Sequence, residues 1–312
     1  MSGVPEPRRV LNLITNPVVN SEADFAELGL WIAEASTETA VFVLPDAADA
    51  DTHAQIPDLP TLTVSPAPVR RLRPRRGPLL QGQHVAKSVE YRALDAIGIP
   101  VPRWSRLLPG KPPALEGLGA YVVTKPDFGA RGADVRLERR EQARWTPPRT
   151  ELAEQFGGPF NPRVAQQFVY TGAWPRSHRV ATLFGRALFA FKVEADHARQ
   201  PLPDRAAFNG QSIVASGRGC TFELWDDPQI VSLAERAHAA FPNVPLLGVD
   251  ILRDADSGEL FVVELNSLGY TWHFSSSWRE PQAEFGRGLD AQFNGRRRAA
   301  AVLAKVCEER AR

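Results

Sequence analysis

Cysteine and methionine are nearly missing from these 312 residues: Cys220 and Cys307 stand far apart, and there is a single Met. Two distant thiols exclude a disulfide framework and match no zinc-ligand spacing. Lysine is scarce too. Lys87, Lys111, Lys125, Lys192 and Lys305 are the only five, although Lys and Arg together number 37. Excess charge of either sign is absent, the formal net charge being +1, so no overall field favours nucleic acid or an acidic membrane surface. Long apolar runs are also missing. None approaches the ~20 residues that span a bilayer, and the first residues lack the basic-then-apolar pattern of a signal sequence. The expectation is a cytoplasmic protein that is not bound to membrane. What is present, 43% apolar and 23% charged residues, is the composition of an ordinary globular chain. Where arginine is the default cation, a retained lysine hints that a compact point charge is wanted.

The pattern predicts an α/β organisation. Arg9 to Ile14, Ala40 to Leu44 and Thr61 to Val64 read as short buried strands, with a helix over Ala23 to Ala35 set by Phe25, Leu28 and Ile32. Strand, helix, strand implies a small lobe with a parallel sheet over residues 1–80. No Gly-rich turn follows its first strand, so the lobe carries no phosphate fingerprint. Val69 to Gly77 holds Arg70, Arg71, Arg73, Arg75 and Arg76 between prolines, without interleaved aromatics. A solvated connecting loop is expected there rather than a nucleic-acid site.

Beyond it, Lys87 to Gly98 reads as a helix stopped by Gly98 and Pro100. A strand from Gly119 to Lys125 runs into a loop with Gly129 and Gly132, then a further strand at Val135 to Leu137. Such glycines permit backbone that aims N–H groups at an anion, and Lys125 adds charge, although the P-loop order is absent. Val164 to Gly172, Ser177 to Gly185 and Leu188 to Glu194 read as sheet. Asp227-Pro228 opens a helix to about Phe241, Asp as N-cap and Pro at the first turn. Leu289 to Arg312 reads as one terminal amphipathic helix. Between these helices, Leu247 to Arg253 and Leu260 to Asn266 flank the turn formers Asp254 to Gly258, a β-hairpin. Glu264 and Asn266 share a strand face, and a hairpin can bring Asp250 opposite Glu264 or its neighbours, depending on register. Two carboxylates and an amide oxygen there suit a hard cation such as Mg²⁺; solvent-facing acids on a half-exposed hairpin are the alternative.

The order of these motifs carries more than any one of them. A Lys precedes a helix ending in Gly98-Ile99-Pro100-Val101-Pro102. A strand closes on Lys125-Pro126 with its glycine loop. Gln166-Gln167-Phe168-Val169 precedes a strand bearing Arg179, and Gly248-Val249-Asp250 precedes Glu264-Leu265-Asn266. This succession resembles the ATP-grasp superfamily, in particular its RimK-like carboxylate–amine ligases, over roughly Gln81 to Gly269. The resemblance implies an α+β ATP-grasp fold in which two subdomains, residues 81–165 and 166–312, clasp ATP behind a Rossmann-like N-terminal lobe. It implies ATP and Mg²⁺ (or Mn²⁺) as cofactors and amide-bond formation through an acyl phosphate. The partners it implies are small-molecule carboxylate and amine substrates or a peptide, and it is compatible with a homo-oligomer. A nucleotide-binding regulatory protein without turnover is the rival from another class.

Position by position, Lys87 and Lys125 match the lysines that hold ATP phosphates, and Gly129, Arg131 and Gly132 the loop that closes over them. Gln166, Gln167, Phe168 and Val169 match the segment whose backbone meets the adenine edge. Arg179 matches the arginine that steadies the transferring phosphoryl group. Asp250, Glu264 and Asn266 match the metal ligands, and Lys192 and Asn209 fall near further phosphate or substrate contacts. Departures are Gln167 and His178, where the family often has acids, and Ser267-Leu268-Gly269, which lacks a proline. Trp272 and His273 follow the metal ligands directly but read equally as packing, His273 having no evident partner acid.

Overall fold

A computed structural model describes residues 6–46, 55–69, 72–129, 132–155, 158–199, 202, 219–275 and 283–312. Three sheets organise it. The first is parallel, in the order β2-β1-β3-β4, from β1 (Arg9–Thr15), β2 (Thr39–Pro45), β3 (Thr61–Ser65) and β4 (Leu79–Gln81). Its central strand β1 is buried along nearly its whole length, which is why its sequence runs Val-Leu-Asn-Leu-Ile without alternation. Helix α1 (Glu22–Ala35) starts where Ser21 accepts a hydrogen bond from the Asp24 amide, and buries Phe25, Leu28 and Ile32.

The second sheet is antiparallel, β5-β8-β6-β7, from β5 (Trp104–Leu107), β6 (Tyr121–Pro126), β7 (Arg136–Arg139) and β8 (Arg163–Gln167). Helices α2 (Lys87–Ala96) and α3 (Thr150–Gln155) belong to the same stretch of chain. The third sheet is antiparallel with five strands, β11-β10-β9-β12-β13, from β9 (Arg176–Leu183), β10 (Arg186–Ala195), β11 (Cys220–Leu224), β12 (Leu246–Arg253) and β13 (Leu260–Asn266). Helix α4 (Pro228–Ala237) covers one face, Asp227 capping it with Pro228 in the first turn. The hairpin turn between β12 and β13 is an Asx turn: Asp254 Oδ1 accepts from the amides of Asp256 and Ser257, and Gly258 takes φ +77°.

The sequence reading differs from the structure in several places, helix α3 being one element it did not expect. The strand expected from Val164 to Gly172 ends at Gln167, and residues 168–175 run on without strand pairing. Strands β4, β5 and β11 were not expected; each lies at a sheet edge and is five residues or fewer, too short for a clear alternation. The single terminal helix is two, α5 (Ala283–Phe293) and α6 (Gly295–Arg310), separated by Asn294 in the left-handed region at φ +52°. The chain is close-packed just after the break: a Cβ at Gly295 would lie 2.6 Å from the Phe274 ring and 2.7 Å from the Leu188 carbonyl.

Helix α6 then crosses to the first sheet. Leu303 and Val306 share one core with Leu11, Leu13 and Phe25, and Arg312 pairs with Thr61 through both main-chain groups. Among the described residues, no helix is long and apolar enough to cross a membrane.

Candidate active site

The adjacent strands β10, β9, β12 and β13 place Phe191, Arg179, Asp250 and Glu264 in one cross-strand row. Residues directly opposite in an antiparallel pair share a face, so the register left open by the sequence resolves with Asp250 facing Glu264. Arg179 grips both oxygens of Asp250, at 2.6 and 2.7 Å. Asn266 donates its amide to Asp250 Oδ2 at 3.0 Å. Burial alone would lower the Arg179 pKa, but Asp250 outweighs it and the pKa is raised.

Gly248 stands across from Asn266 because no larger residue fits. A Cβ there would lie 2.6 Å from Thr271 Oγ1 and 3.3 Å from Asn266 Cβ. Gly248→Ala is expected to cost about 1–3 kcal/mol through overpacking, read as a lower denaturant midpoint; an unchanged midpoint would mean that Thr271 yields freely.

The lysines come from strand β6 of the second sheet and from the start of helix α2. Lys125 ends β6 and is 5% exposed; its ammonium donates to the Val263 carbonyl at 2.8 Å and sits over the Tyr91 ring. Burial, with Lys87 adding to it, brings its pKa down to about 8, against the opposing pull of Glu264. Lys87, the first residue of α2, pairs with Glu264 at 3.2 Å and donates to the Gly129 carbonyl at 3.1 Å. Burial opposes its charge too, yet Glu264 and Glu90 prevail and raise its pKa. Burial likewise opposes the Glu264 carboxylate, but Lys87 and Lys125 hold its pKa below the ordinary value.

The N-terminus of α2 has no side-chain cap of its own, since Ala86 stands at that position. Asp127, just past β6, substitutes: its oxygens accept from the Ser88 amide and hydroxyl, both at 2.8 Å. That contact ties Lys87 to the strand end that carries Lys125. Gly129 and Gly132 (φ +65°) lie on the loop that follows. The far side of the loop is held at Asp134, φ +57°, by buried Arg163, which contacts its carboxylate and its carbonyl.

The linker residues divide. Gln166 is buried, its Oε1 2.5 Å from the Tyr91 hydroxyl. The amides of Gln167 and Phe168 donate to the carbonyls of Arg103 and Tyr121, so these two N–H groups are engaged within the chain. Val169 is buried, and the Phe168 ring meets the Arg199 guanidinium.

Lys192 is not brought to the cluster. It stands opposite His178, on the sheet face away from Arg179, paired with Glu223 at 2.7 Å and stacked on Trp225. His178 is kept neutral, burial pushing its pKa down to about 4. Asn209 and Arg131 lie outside the described residues. Trp272 is core, its indole donating to Asp24, and His273 packs on Phe189 and Phe191. Residues missed by the sequence reading are Glu90, Tyr91 and Asp127, whose partners lie far along the chain.

No family model matches the sequence, and no curated protein matches it. Solved structures do, along almost their whole length. The D-cycloserine synthetase DcsG aligns with a TM-score of 0.52 and 17% identity, over 96% of this chain and 99% of its own. The Chryseobacterium gregarium RiPP-associated ATP-grasp ligase, in complex with ADP and a leader and core peptide, aligns with a TM-score of 0.53 and 12% identity, over 95% and 97%. The ATP-grasp ligase PsnB, complexed with a minimal precursor, gives 0.50 and 15%, over 95% and 98%.

The chain has the ATP-grasp fold.

Identities this low carry the fold and nothing of substrate. Within the ATP-grasp frame the donor set can be judged on its chemistry. Asp250, Glu264 and Asn266 offer two carboxylates and an amide oxygen, the hard donors that Mg²⁺ takes. In this structure Arg179 and Lys87 neutralise those carboxylates, standing where cationic charge is wanted. The residues present therefore fit a divalent cation, provided that the two side chains turn toward an incoming anion.

Proposed function

We propose that the protein is an ATP-dependent carboxylate–amine ligase that forms an amide bond through an acyl phosphate. The observation that carries this reading is the convergence of Lys87 and Lys125 on Glu264, beside the Arg179–Asp250–Asn266 group, in a chain with the ATP-grasp fold. Residues 81–165 and 166–312 act as the two subdomains that clasp ATP, with Val169 and the linker carbonyls meeting the base edge.

Asp250, Glu264 and Asn266 would hold Mg²⁺ or Mn²⁺, which when bound supplies charge neutralisation at the β- and γ-phosphate oxygens. Lys125 and Lys87 bind the phosphate tail, and the Gly129–Gly132 loop covers it. Phosphoryl transfer depends mainly on such positioning and charge stabilisation. A substrate carboxylate oxygen attacks the γ-phosphorus, the bond to the β–γ bridging oxygen breaks, and ADP leaves. Closure of the glycine loop excludes water from the acyl phosphate. The amine then attacks the acyl carbon, releasing phosphate and a proton, with Arg179 steadying the oxyanion.

A peptide substrate is the second reading within this chemistry, favoured by the likeness to ligases solved with a leader and core peptide and with a minimal precursor. The RimK-like branch, small-molecule substrates, a cytoplasmic location and a homo-oligomer belong to the same proposal. A regulatory nucleotide binder is disfavoured because it has no need for the complete set of lysines and oxygen donors.

The test is coupled detection of ADP with amino acids, dipeptides, hydroxy acids and leader-type peptides, followed by mass spectrometry of the condensation product. Substrate-stimulated ADP release with a product lighter by one water is the expected result. Nucleotide binding without ADP release across the whole panel would establish the regulatory reading instead.

A further inference from the structure

Strand β13, which carries Glu264 and Asn266, is the outer strand of its sheet. An edge strand exposes a row of unpaired main-chain groups, and these must be satisfied by something other than a neighbouring strand. Here helix α2 and the residues before it supply the partners. Glu90 Oε2 accepts from the Leu265 amide at 3.1 Å. The hydroxyl of Tyr91 lies 2.7 Å from the Val263 carbonyl, its one proton shared between that oxygen and Gln166 Oε1, and Lys125 donates to the same carbonyl at 2.8 Å. Farther along, the Gln83 amide donates to the Ser267 carbonyl at 3.1 Å. Two successive helix residues therefore hold the main chain on both flanks of Glu264.

We propose that Glu90 and Tyr91 are positioning residues, a clamp on Val263 and Leu265 that sets the direction of the Glu264 carboxylate. The inference rests on the reading of Glu264 as a ligand for a nucleotide-bound cation. Side chains alternate along a strand, so fixing the peptide groups before and after residue 264 fixes the line along which its side chain leaves the strand. The same helix begins at Lys87, which reaches Glu264 at 3.2 Å. Helix and strand thus move as one unit, and the lysine and the carboxylate keep their spacing.

An apolar side chain at this position would leave the buried Leu265 amide without an acceptor. Glu90 is 3% exposed, and burying a carboxyl costs free energy that an apolar side chain of similar volume would not. Burial raises its pKa, and a glutamine reproduces both its shape and its acceptor. The cost is compensated only if the contact with Leu265 is useful.

Glu90→Met keeps the volume and removes the acceptor, whereas Glu90→Gln keeps both. The two are compared by Mn²⁺ binding in the presence of ADP, followed by electron paramagnetic resonance, and by hydrogen exchange of the Leu265 amide. Expected for Glu90→Met is a loss of about 10- to 100-fold in Mn²⁺ affinity, the range typical of residues that orient metal ligands. Faster exchange at Leu265 and a lower melting temperature, from the buried amide that loses its acceptor, should accompany it. Glu90→Gln should recover most of the affinity and the protection. Wild-type Mn²⁺ affinity in Glu90→Met, or equal damage in both variants, would overturn the clamp. If the wild-type protein itself binds no Mn²⁺ with ADP, the ligase reading falls; wild-type exchange at Leu265 in Glu90→Met would then show that the clamp fails as well.

Discussion

Glu264→Gln is expected to abolish substrate-dependent ADP release while leaving the fold intact. The substitution preserves shape and removes one negative charge at the point where Lys87 and Lys125 meet the hairpin. A ligand that touches the cation should matter more than an outer partner, so the loss should exceed about 100-fold. Stability should fall modestly at neutral pH. The carboxylate is held below its ordinary pKa by the two lysines, so it stabilises the fold at neutral pH and ceases to do so as pH falls through that lowered value. That lowered value is already net of burial, so the amide gives up the contribution and leaves Lys87 without its ion-pair partner. Turnover and thermal unfolding measured on one preparation decide the matter. Wild-type turnover would remove Glu264 from the site, and unfolding at room temperature would make it a structural ion-pair partner.

How much of this site could be read from the chain depends on how far apart its partners lie. Local signals were sufficient for the Asp227-Pro228 helix start, the Asp254–Gly258 turn and the mainly apolar run of β1. The order of motifs was sufficient to bring Lys125 and Glu264 into one expectation although they come from different sheets. What could not be read was set by tertiary contact. The hairpin register could have put Asp250 beside a neighbour of Glu264; an irregularity between Asp250 and Ile251 lies next to the pairing, and no local residue pattern announces it. Asp127 caps a helix 39 residues earlier in the chain, and Glu90 meets a strand 175 residues later. Neither partner leaves a trace in spacing. The placement of Lys192 turned on parity: one residue along β9 separates the face of Arg179 from that of His178, and Lys192 pairs with the latter. Asn294, in the left-handed region, breaks the terminal helix beside Gly295, and the partners of Gly295, Phe274 and Leu188, lie outside any window around residues 289–312.

Lys125→Met is expected to separate function from stability in the opposite sense to most buried substitutions. The lysine is charged in the free protein only below about pH 8, burial having depressed its pKa from 10.5. For a depressed group the folding contribution is fully present above the unfolded pKa and is lost as pH falls through the folded one. At pH 7 the folded chain therefore carries a cost, up to ~3 kcal/mol for a shift of this size, a figure that already includes what Glu264 recovers from the ammonium. Methionine removes that cost, so the melting temperature at pH 7 should hold or rise. Nucleotide binding should fall by about 10- to 100-fold, because a charge-assisted contact to phosphate in a buried site contributes roughly 1.5–3 kcal/mol. The pH profile gives the sharper reading. Wild-type ADP affinity should be flat below pH 8 and decline about tenfold per pH unit above it, since binding there requires uptake of a proton by Lys125. In the methionine variant that decline should vanish. Calorimetric titration with ADP between pH 7 and 9.5, on both proteins and with and without Mg²⁺, makes the comparison. A wild-type slope retained in Lys125→Met would assign the titration to another group, and a sharply lowered melting temperature would make Lys125 a structural partner of Val263 rather than a phosphate ligand.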